Sequence, residues 1–188
     1  KGRGGVALTC WMCAAGCRPM VVVYLPYLMW VLYKKEGRLD IRRWLKWLIV
    51  PALLAVSYMA LNYARFGNPL EFGHNYLPEF QRAENGQFSL EYLSKNWSDL
   101  FRIPTFDAES GKIKLYKHDC QAIEFINPIC VMALLALAAG LIRKRMKPSP
   151  EAVLLILGAA AHLMIVLCHR TLGGWQFGNR YIVDLLPY

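Results

Sequence analysis

The chain has no internal repeat, no heptad pattern and no low-complexity tract. Solenoids, coiled coils and fibrous proteins are thereby excluded. Charge is also scarce: 19% of the 188 residues are Asp, Glu, Lys or Arg, and only 13 of them are acidic. Six cysteines do not amount to a disulfide framework, because Cys10, Cys13, Cys17, Cys130 and Cys168 fall in apolar stretches and leave Cys120 without a partner in a polar one. Cys10, Cys13 and Cys17 share one helical face, where a soft-metal site is conceivable; the simpler reading is small residues packing a helix. The first apolar stretch lacks the small-residue cleavage site of a signal peptide and has basic residues crowding its far end, so it is not one.

What is present is apolar length. Hydrophobic residues make up 56% of the chain, and its mean hydropathy is +0.26. Val6–Tyr33, Trp44–Phe66, Ala122–Ile142 and Ala152–Cys168 are apolar runs with almost no charge. Runs near twenty residues match the roughly 30 Å hydrocarbon core of a bilayer. Between them lie two basic clusters, Lys34, Lys35, Arg38, Arg42, Arg43 and Lys46, then Arg143, Lys144, Arg145 and Lys147. Basic residues in short loops between spans mark the cytoplasmic side. The clusters hold ten of the 22 basic residues, so the net charge of +9 reflects topology and contact with membrane lipids, not nucleic acid.

These features predict an all-α integral membrane protein with about six transmembrane helices and one ordered external loop of about 55 residues. Its divisions are membrane helices over 1–66, an external cap over 67–121 and membrane helices over 122–188. Arg18-Pro19 interrupts the first run, and proline breaks helices. A mid-bilayer Arg costs about 3 kcal/mol on insertion scales. Two short helices turning at Arg18-Pro19, as a hairpin, avoid that cost; one long tilted helix with a proline kink is the competing form. Gly67 and Pro69 stop the second span. The segment 67–121 carries eight acidic and six basic residues, a balance expected of an external loop, and aromatics throughout, which disordered loops lack. Within it, Leu90, Leu93, Trp97 and Phe101 fall at helical spacing and predict an amphipathic helix over Ser89–Leu100 lying on the membrane face. Loops 34–46 and 143–150 are expected to be cytoplasmic, and loops 67–121 and 169–180 external. No initiator Met is present and Tyr181–Tyr188 reads as a helix cut short, so the chain is expected to be an internal piece of a longer protein.

Outside the clusters, the long loop and the N-terminus, four basic residues remain, Arg18, Arg65, Arg170 and Arg180. All four fall at the external boundary of this topology. Arg grips phosphate or carboxylate with a planar fork, so an anionic lipid headgroup such as a polyprenyl phosphate is the expected ligand. The alternative for each is snorkelling to headgroups or pairing with a nearby acid.

Asn62-Tyr63-Ala64-Arg65-Phe66-Gly67-Asn68-Pro69-Leu70-Glu71-Phe72-Gly73 resembles the end of a span in bacterial GT-C membrane glycosyltransferases, relatives of protein O-mannosyltransferases and of the aminoarabinose transferase of lipid A. Gly174-Trp175-Gln176-Phe177-Gly178-Asn179-Arg180-Tyr181 is similar to a second segment of those proteins, and Gly16-Cys17-Arg18-Pro19 to a third. The resemblance implies a multi-span enzyme of the bacterial inner membrane. Such an enzyme moves a sugar from a polyprenyl-phosphate carrier to a glycan, lipid or protein acceptor on the external face. It also implies a catalytic Asp in an early external loop upstream of this chain, so no residue here is assigned as the base.

Glycosyl transfer needs a cation for the leaving phosphate, for which Arg18, Arg170 and Arg180 are candidates. Glu71, His74, Asn75, Tyr76, His169, Trp175 and Gln176 are candidates for lining the sugar or acceptor pocket. Against this, Glu71 pairing with Arg65 in a structured turn and His169 sitting at the interface are the plainer readings. His162 reads as a packing residue. Asp184, costly within a span, has Arg180 one turn earlier as its partner. His118-Asp119-Cys120 cannot easily converge on one ion, and no cofactor or metal is indicated. The rival to an enzyme is a non-enzymatic membrane protein, either a transporter of lipid-linked anions or a structural subunit. A transporter places ionisable groups at depth, whereas here polar residues collect at one face.

Overall fold

The computed structural model describes residues 3–38, 40–82, 84–103, 105–114, 128–143 and 148–172. They are mostly helical. In chain order the elements are α1 (Gly4–Cys17), a 3-10 turn (Pro19–Tyr24), α2 (Leu25–Glu36), α3 (Ile41–Phe66), a second 3-10 turn (His74–Tyr76), α4 (Pro78–Gln81), α5 (Tyr92–Leu100), β1 (Thr105–Asp107), β2 (Lys112–Lys114), α6 (Pro128–Ile142) and α7 (Pro150–Cys168). The chain divides into two compact units, Lys1–Ala83 with Pro150–His162 and Glu84–Ser149 with Leu163–Tyr188. α7 contributes to both.

Among the described residues two helices, α3 and α7, are long and apolar enough to cross a membrane. Six spans are not distinguished among the described residues. α1 and α2 have 14 and 12 residues, which at 1.5 Å per residue is about 20 Å each, short of a bilayer core. α6 has 15 described residues, because 122–127 at the start of that expected span lie outside the description.

In the first unit, α1 stops at Cys17 and the chain turns through Arg18 and the 3-10 segment before α2 begins. Pro19 causes the stop, since its ring cannot continue the helix behind it. The indole of Trp11 donates to Val21 O across this turn at 3.2 Å. Leu8 of α1, Leu32 of α2 and Trp44 of α3 form one buried cluster. An early α1 residue thus meets a late α2 residue, and the two helices fold back on each other.

α1 and α3 run the same way. Gly4 lies against the Trp47 ring near the start of both, and Gly16 against the Tyr58 ring further along both. Side chains at either glycine would enter those rings, so glycine sets this close approach. α3 begins on Asp40, whose carboxylate accepts from Arg43 N at 3.3 Å, an N-cap. It ends on Gly67 in the left-handed conformation, φ 69°, which closes the last turn. α7 joins this unit through Gly158, where an added Cβ would come 2.8 Å from Tyr24, and through a T-shaped contact between Tyr24 and buried His162 at 5.8 Å.

Charge sorts by end within this unit. Lys34 pairs with Glu151 at the start of α7, at 2.5 Å. Arg43 pairs with Glu36 and lies 4.9 Å over the Trp47 ring, a cation–π contact. Arg18 and Arg65 are at the other ends of α1 and α3.

The second unit contains a feature the all-helical expectation omits, a short antiparallel hairpin with Phe106 opposite Ile113. Its turn is held by Asp107, which accepts from Ser110 Oγ at 2.8 Å and Glu109 N at 3.2 Å. The Ser110 hydroxyl, then the Glu109 amide, hold that carboxyl below its ordinary range. Gly111, φ 65°, supplies the left-handed residue. The helix expected over Ser89–Leu100 starts at Tyr92, after a turn in which Ser89 Oγ accepts from Glu91 N.

Asn96 is the fastener of this unit. It is buried, and its amide donates to Leu167 O at 2.8 Å and to His169 O at 2.6 Å. The last carbonyls of a helix have no partner within it, and Asn96 supplies one for α7. Asn96→Ala leaves two buried carbonyls without that donor, at about 1–3 kcal/mol each. The expected outcome is a lower unfolding temperature in detergent and faster amide exchange at 163–170. Unchanged exchange there would show that Asn96 does not hold the end of α7.

Candidate functional site

The chain leaving α3 doubles back on itself. Gly67 turns it, Asn68 Oδ1 accepts from Leu70 N at 2.9 Å, and Asn62, buried in the last turns of α3, donates to Pro69 O at 3.3 Å. Gly73 then makes a second left-handed turn, φ 90°, where an added Cβ would come 3.0 Å from the Phe66 ring. Tyr76 stacks on the other part of this arrangement: its ring lies 5.2 Å from Phe66, and its hydroxyl donates to Phe66 O at 3.1 Å. Arg65 lies over the same Phe66 ring at 5.2 Å.

Glu71 is the buried centre of the turn. Oε1 accepts from Gly73 N at 2.7 Å and Asn75 N at 3.4 Å, and Oε2 from Asn75 Nδ2 at 2.5 Å. Burial alone raises the carboxyl's pKa. The Asn75 amide, the Gly73 and Asn75 N–H groups and the nearby His74 outweigh burial, and the net shift is below the ordinary 4.5. Glu71 therefore spends its oxygens on its own turn, and Arg65 turns to Phe66 instead of pairing with it.

This turn and the end of α3 wall an open cavity of about 640 Å³, with Gly16 and Tyr58 on its far side. Arg65 and His74 bring its ionisable groups, Asn62 and Tyr58 its neutral polar groups, and Phe66 and Phe72 its flat apolar faces. Such a set can hold an anion beside an apolar group. Arg18 lies two residues beyond Gly16, half-buried, but does not line the cavity. Sequence reasoning grouped Arg65 with the external arginines yet left it out of the site, and it missed Tyr58 and Asn62. Their spacing from Arg65, at about one and two turns back along one helix, was the available signal.

Of the expected site residues, Glu71, His74, Asn75 and Tyr76 come together in this turn. His169 and Arg170 lie in the second unit. His169 is buried; its ring nitrogens contact Gln87 Nε2 at 3.3 Å and Thr171 O at 2.7 Å, and Phe88 packs edge-on at 5.0 Å. The backbone there pairs as a strand would, with Ser89 N donating to Cys168 O and Arg170 N to Gln87 O, each at 2.9 Å. Arg170 is half-buried. Trp175, Gln176 and Arg180, together with His118-Asp119-Cys120 and Asp184, lie outside the described residues. Among the described residues no three of His, Cys, Asp and Glu gather as a metal site requires.

Glu71→Gln gives a direct test of the turn. A folded-state pKa held below 4.5 means the fold favours the carboxylate. That stabilisation is complete above the unfolded pKa and is lost as pH falls through the lowered value. Glutamine keeps one acceptor and loses the charge, so the variant is expected to unfold about 1–3 kcal/mol more easily at neutral pH. The gap from wild type should close as pH drops below 4.5. A gap that stays constant across that range would mean the carboxylate charge plays no part.

No family model, no curated protein and no solved structure matches the chain.

Proposed function

We propose that the chain is part of a bacterial inner-membrane glycosyltransferase of GT-C type, taking a sugar from a polyprenyl-phosphate carrier and delivering it to a glycan, lipid or protein acceptor at the external face. The reading is supported by one observation above others. Among the described residues that line the cavity at the end of α3, the ionisable groups are Arg65 and His74, both able to carry positive charge, and they sit beside Phe66 and Phe72. A carrier phosphate meets a guanidinium there, and its prenyl tail follows the exposed apolar flank of α3.

In this reading loops 34–46 and 143–150 are cytoplasmic, and 67–121 with 169–180 external. The about six spans of the full topology place Arg18, Arg170 and Arg180 at the phosphate level, with Arg65 added to them. Asn75, Tyr76, Trp175 and Gln176 are the proposed contacts for sugar or acceptor, whereas His169, buried among Gln87, Phe88 and Thr171, supports the loop that carries Arg170. Glu71 acts by holding the turn that presents His74. The residues of this chain bind and orient; none is assigned as the base.

Two measurements test this. In nanodiscs, a fluorescent short-chain polyprenyl phosphate should bind, the matching prenyl alcohol should bind more weakly, and Arg65→Ala should cost about 10- to 100-fold in affinity for the phosphate alone. Equal binding of phosphate and alcohol would remove the anion site. In cells carrying the complete protein, Arg180→Ala should abolish sugar transfer while leaving insertion and abundance intact. Wild-type turnover would take Arg180 out of the site, and carrier binding without transfer of any sugar would point to the non-enzymatic alternative.

A further inference from the structure

α5 divides its surface into three faces. Successive residues step about 100° around a helix, so Asn96, Asp99 and Leu100 share one face, and all three are buried. Leu90, just before the helix, falls with Trp97 and Phe101 on the next face, and these are 75%, 53% and 46% exposed. Ser98 and Lys95 occupy the third face, also exposed. A helix of a water-soluble cap turns its apolar face inward. Here an amide and a carboxylate go in beside Leu100, and an indole and a phenyl ring, in edge contact at 5.3 Å, stay out.

The polar inward face is explained by what it fastens. Asn96 holds the carbonyls of Leu167 and His169. Asp99 anchors Arg102 at 2.7 Å and Lys95 at 3.8 Å. The outward face is therefore tied, through Asn96, to the level at which α7 ends. α7 has 19 residues, about 28 Å at 1.5 Å per residue, the thickness of the hydrocarbon core. A helix of that length that spans the bilayer ends at the interface.

We infer that the Leu90–Trp97–Phe101 face is a membrane-docking surface, occupied by the headgroup–acyl boundary of the leaflet in which α7 ends. The inference rests on the membrane reading of α7. Three features favour lipid as the occupant. Trp at an interface and Lys or Arg beside it is the residue chemistry of that boundary. Lys95 and Arg102 keep 58% and 40% of their side chains exposed, where anionic headgroups meet them. Near its end α7 also keeps an apolar side chain outward, Met164, which is 49% exposed. Docking of α5 fixes the height of the strand-like pairing between Gln87–Ser89 and Cys168–Arg170, and so keeps Arg170 at the phosphate plane.

Site-directed spin labelling of the whole chain tests this. The six cysteines are replaced by serine or alanine. Single labels follow at Trp97→Cys, Phe101→Cys, Ser98→Cys and, as a depth reference on α7, Leu157→Cys. Collision with oxygen and with a water-soluble nickel chelate is measured in nanodiscs of phosphatidylethanolamine and phosphatidylglycerol. Labels at 97 and 101 should favour oxygen and lie about 5–10 Å below the headgroups. The label at 98 should favour nickel, and that at 157 should be deepest. Nickel-accessible labels at 97 and 101 with a deep label at 157 would overturn the docking surface and leave the membrane reading standing. A label at 98 as deep as 97 would overturn docking through one face. A nickel-accessible label at 157 would sink the membrane reading and this inference with it.

Discussion

An apolar helix that buries little of itself in protein has to bury the rest in something else. α3 keeps only 11% of its most apolar window buried, and α7 22%. Ile41, Leu45, Ile49, Leu53 and Val56 all face outward on α3. Covering such a side chain is worth about 1.5–3 kcal/mol, so leaving a row of them in water costs as much as the whole stability of an ordinary domain. Lipid or further protein covers this surface. The charges carried by these helices sort accordingly. Arg43 and Lys34 sit at one end with their acids, Arg18 and Arg65 at the other, and α3 carries no charge between Lys46 and Arg65.

The same constraint governs the backbone. Where helices stop, their end groups need partners that neither lipid nor a packed interior supplies. The two long helices meet this need with different chemistry. α3 closes on Gly67, whose N–H donates to Tyr63 O, and its Phe66 carbonyl accepts from the Tyr76 hydroxyl. α7 ends under Asn96, which brings two donated hydrogen bonds to its carbonyls. In both, a side chain outside the helix donates to one of its last carbonyls, a hydroxyl for α3 and an amide for α7. Each donor lies outside the apolar runs that dominate the sequence.

That difference explains what was legible beforehand. The stop at Arg18-Pro19, the end of α3 at Gly67 and the end of α7 at Cys168 are local events, written in proline, glycine and hydropathy, and they stand where those signals put them. The hairpin at Thr105–Lys114 was also locally written: Phe106 and Ile113 alternate with polar neighbours around an Asp-Ala-Glu-Ser-Gly turn. The reading of 67–121 as a cap with one helix over Ser89–Leu100 does not include it. Asn96 could not be read at all. Its partners lie 71 and 73 residues away, and an Asn between Lys95 and Trp97 looks like the polar side of an amphipathic helix. The expected stripe of Leu90, Leu93, Trp97 and Phe101 is there, but its exposed members point away from the protein. Periodicity reports that a helix has two faces and not which one is inside. In the cavity wall, Arg65 was visible as a lone cation, whereas Glu71 drew attention as its partner and proved to belong to the turn.

Arg65 by itself is weak ground for an anion site. The C-terminal end of a helix carries partial negative charge and favours a cation whatever the function, and Arg65 stands in the last turn of α3. His74 is different. It lies beyond the helix and returns to the same cavity because Gly73 takes a left-handed turn against the Phe66 ring. Glu71 holds that turn at the expense of burying a carboxylate. Helix electrostatics asks for none of this. The same turn packs the His74 ring edge-on against Phe80 at 5.9 Å and brings a second ionisable nitrogen to the cavity wall that Arg65 and Phe66 share.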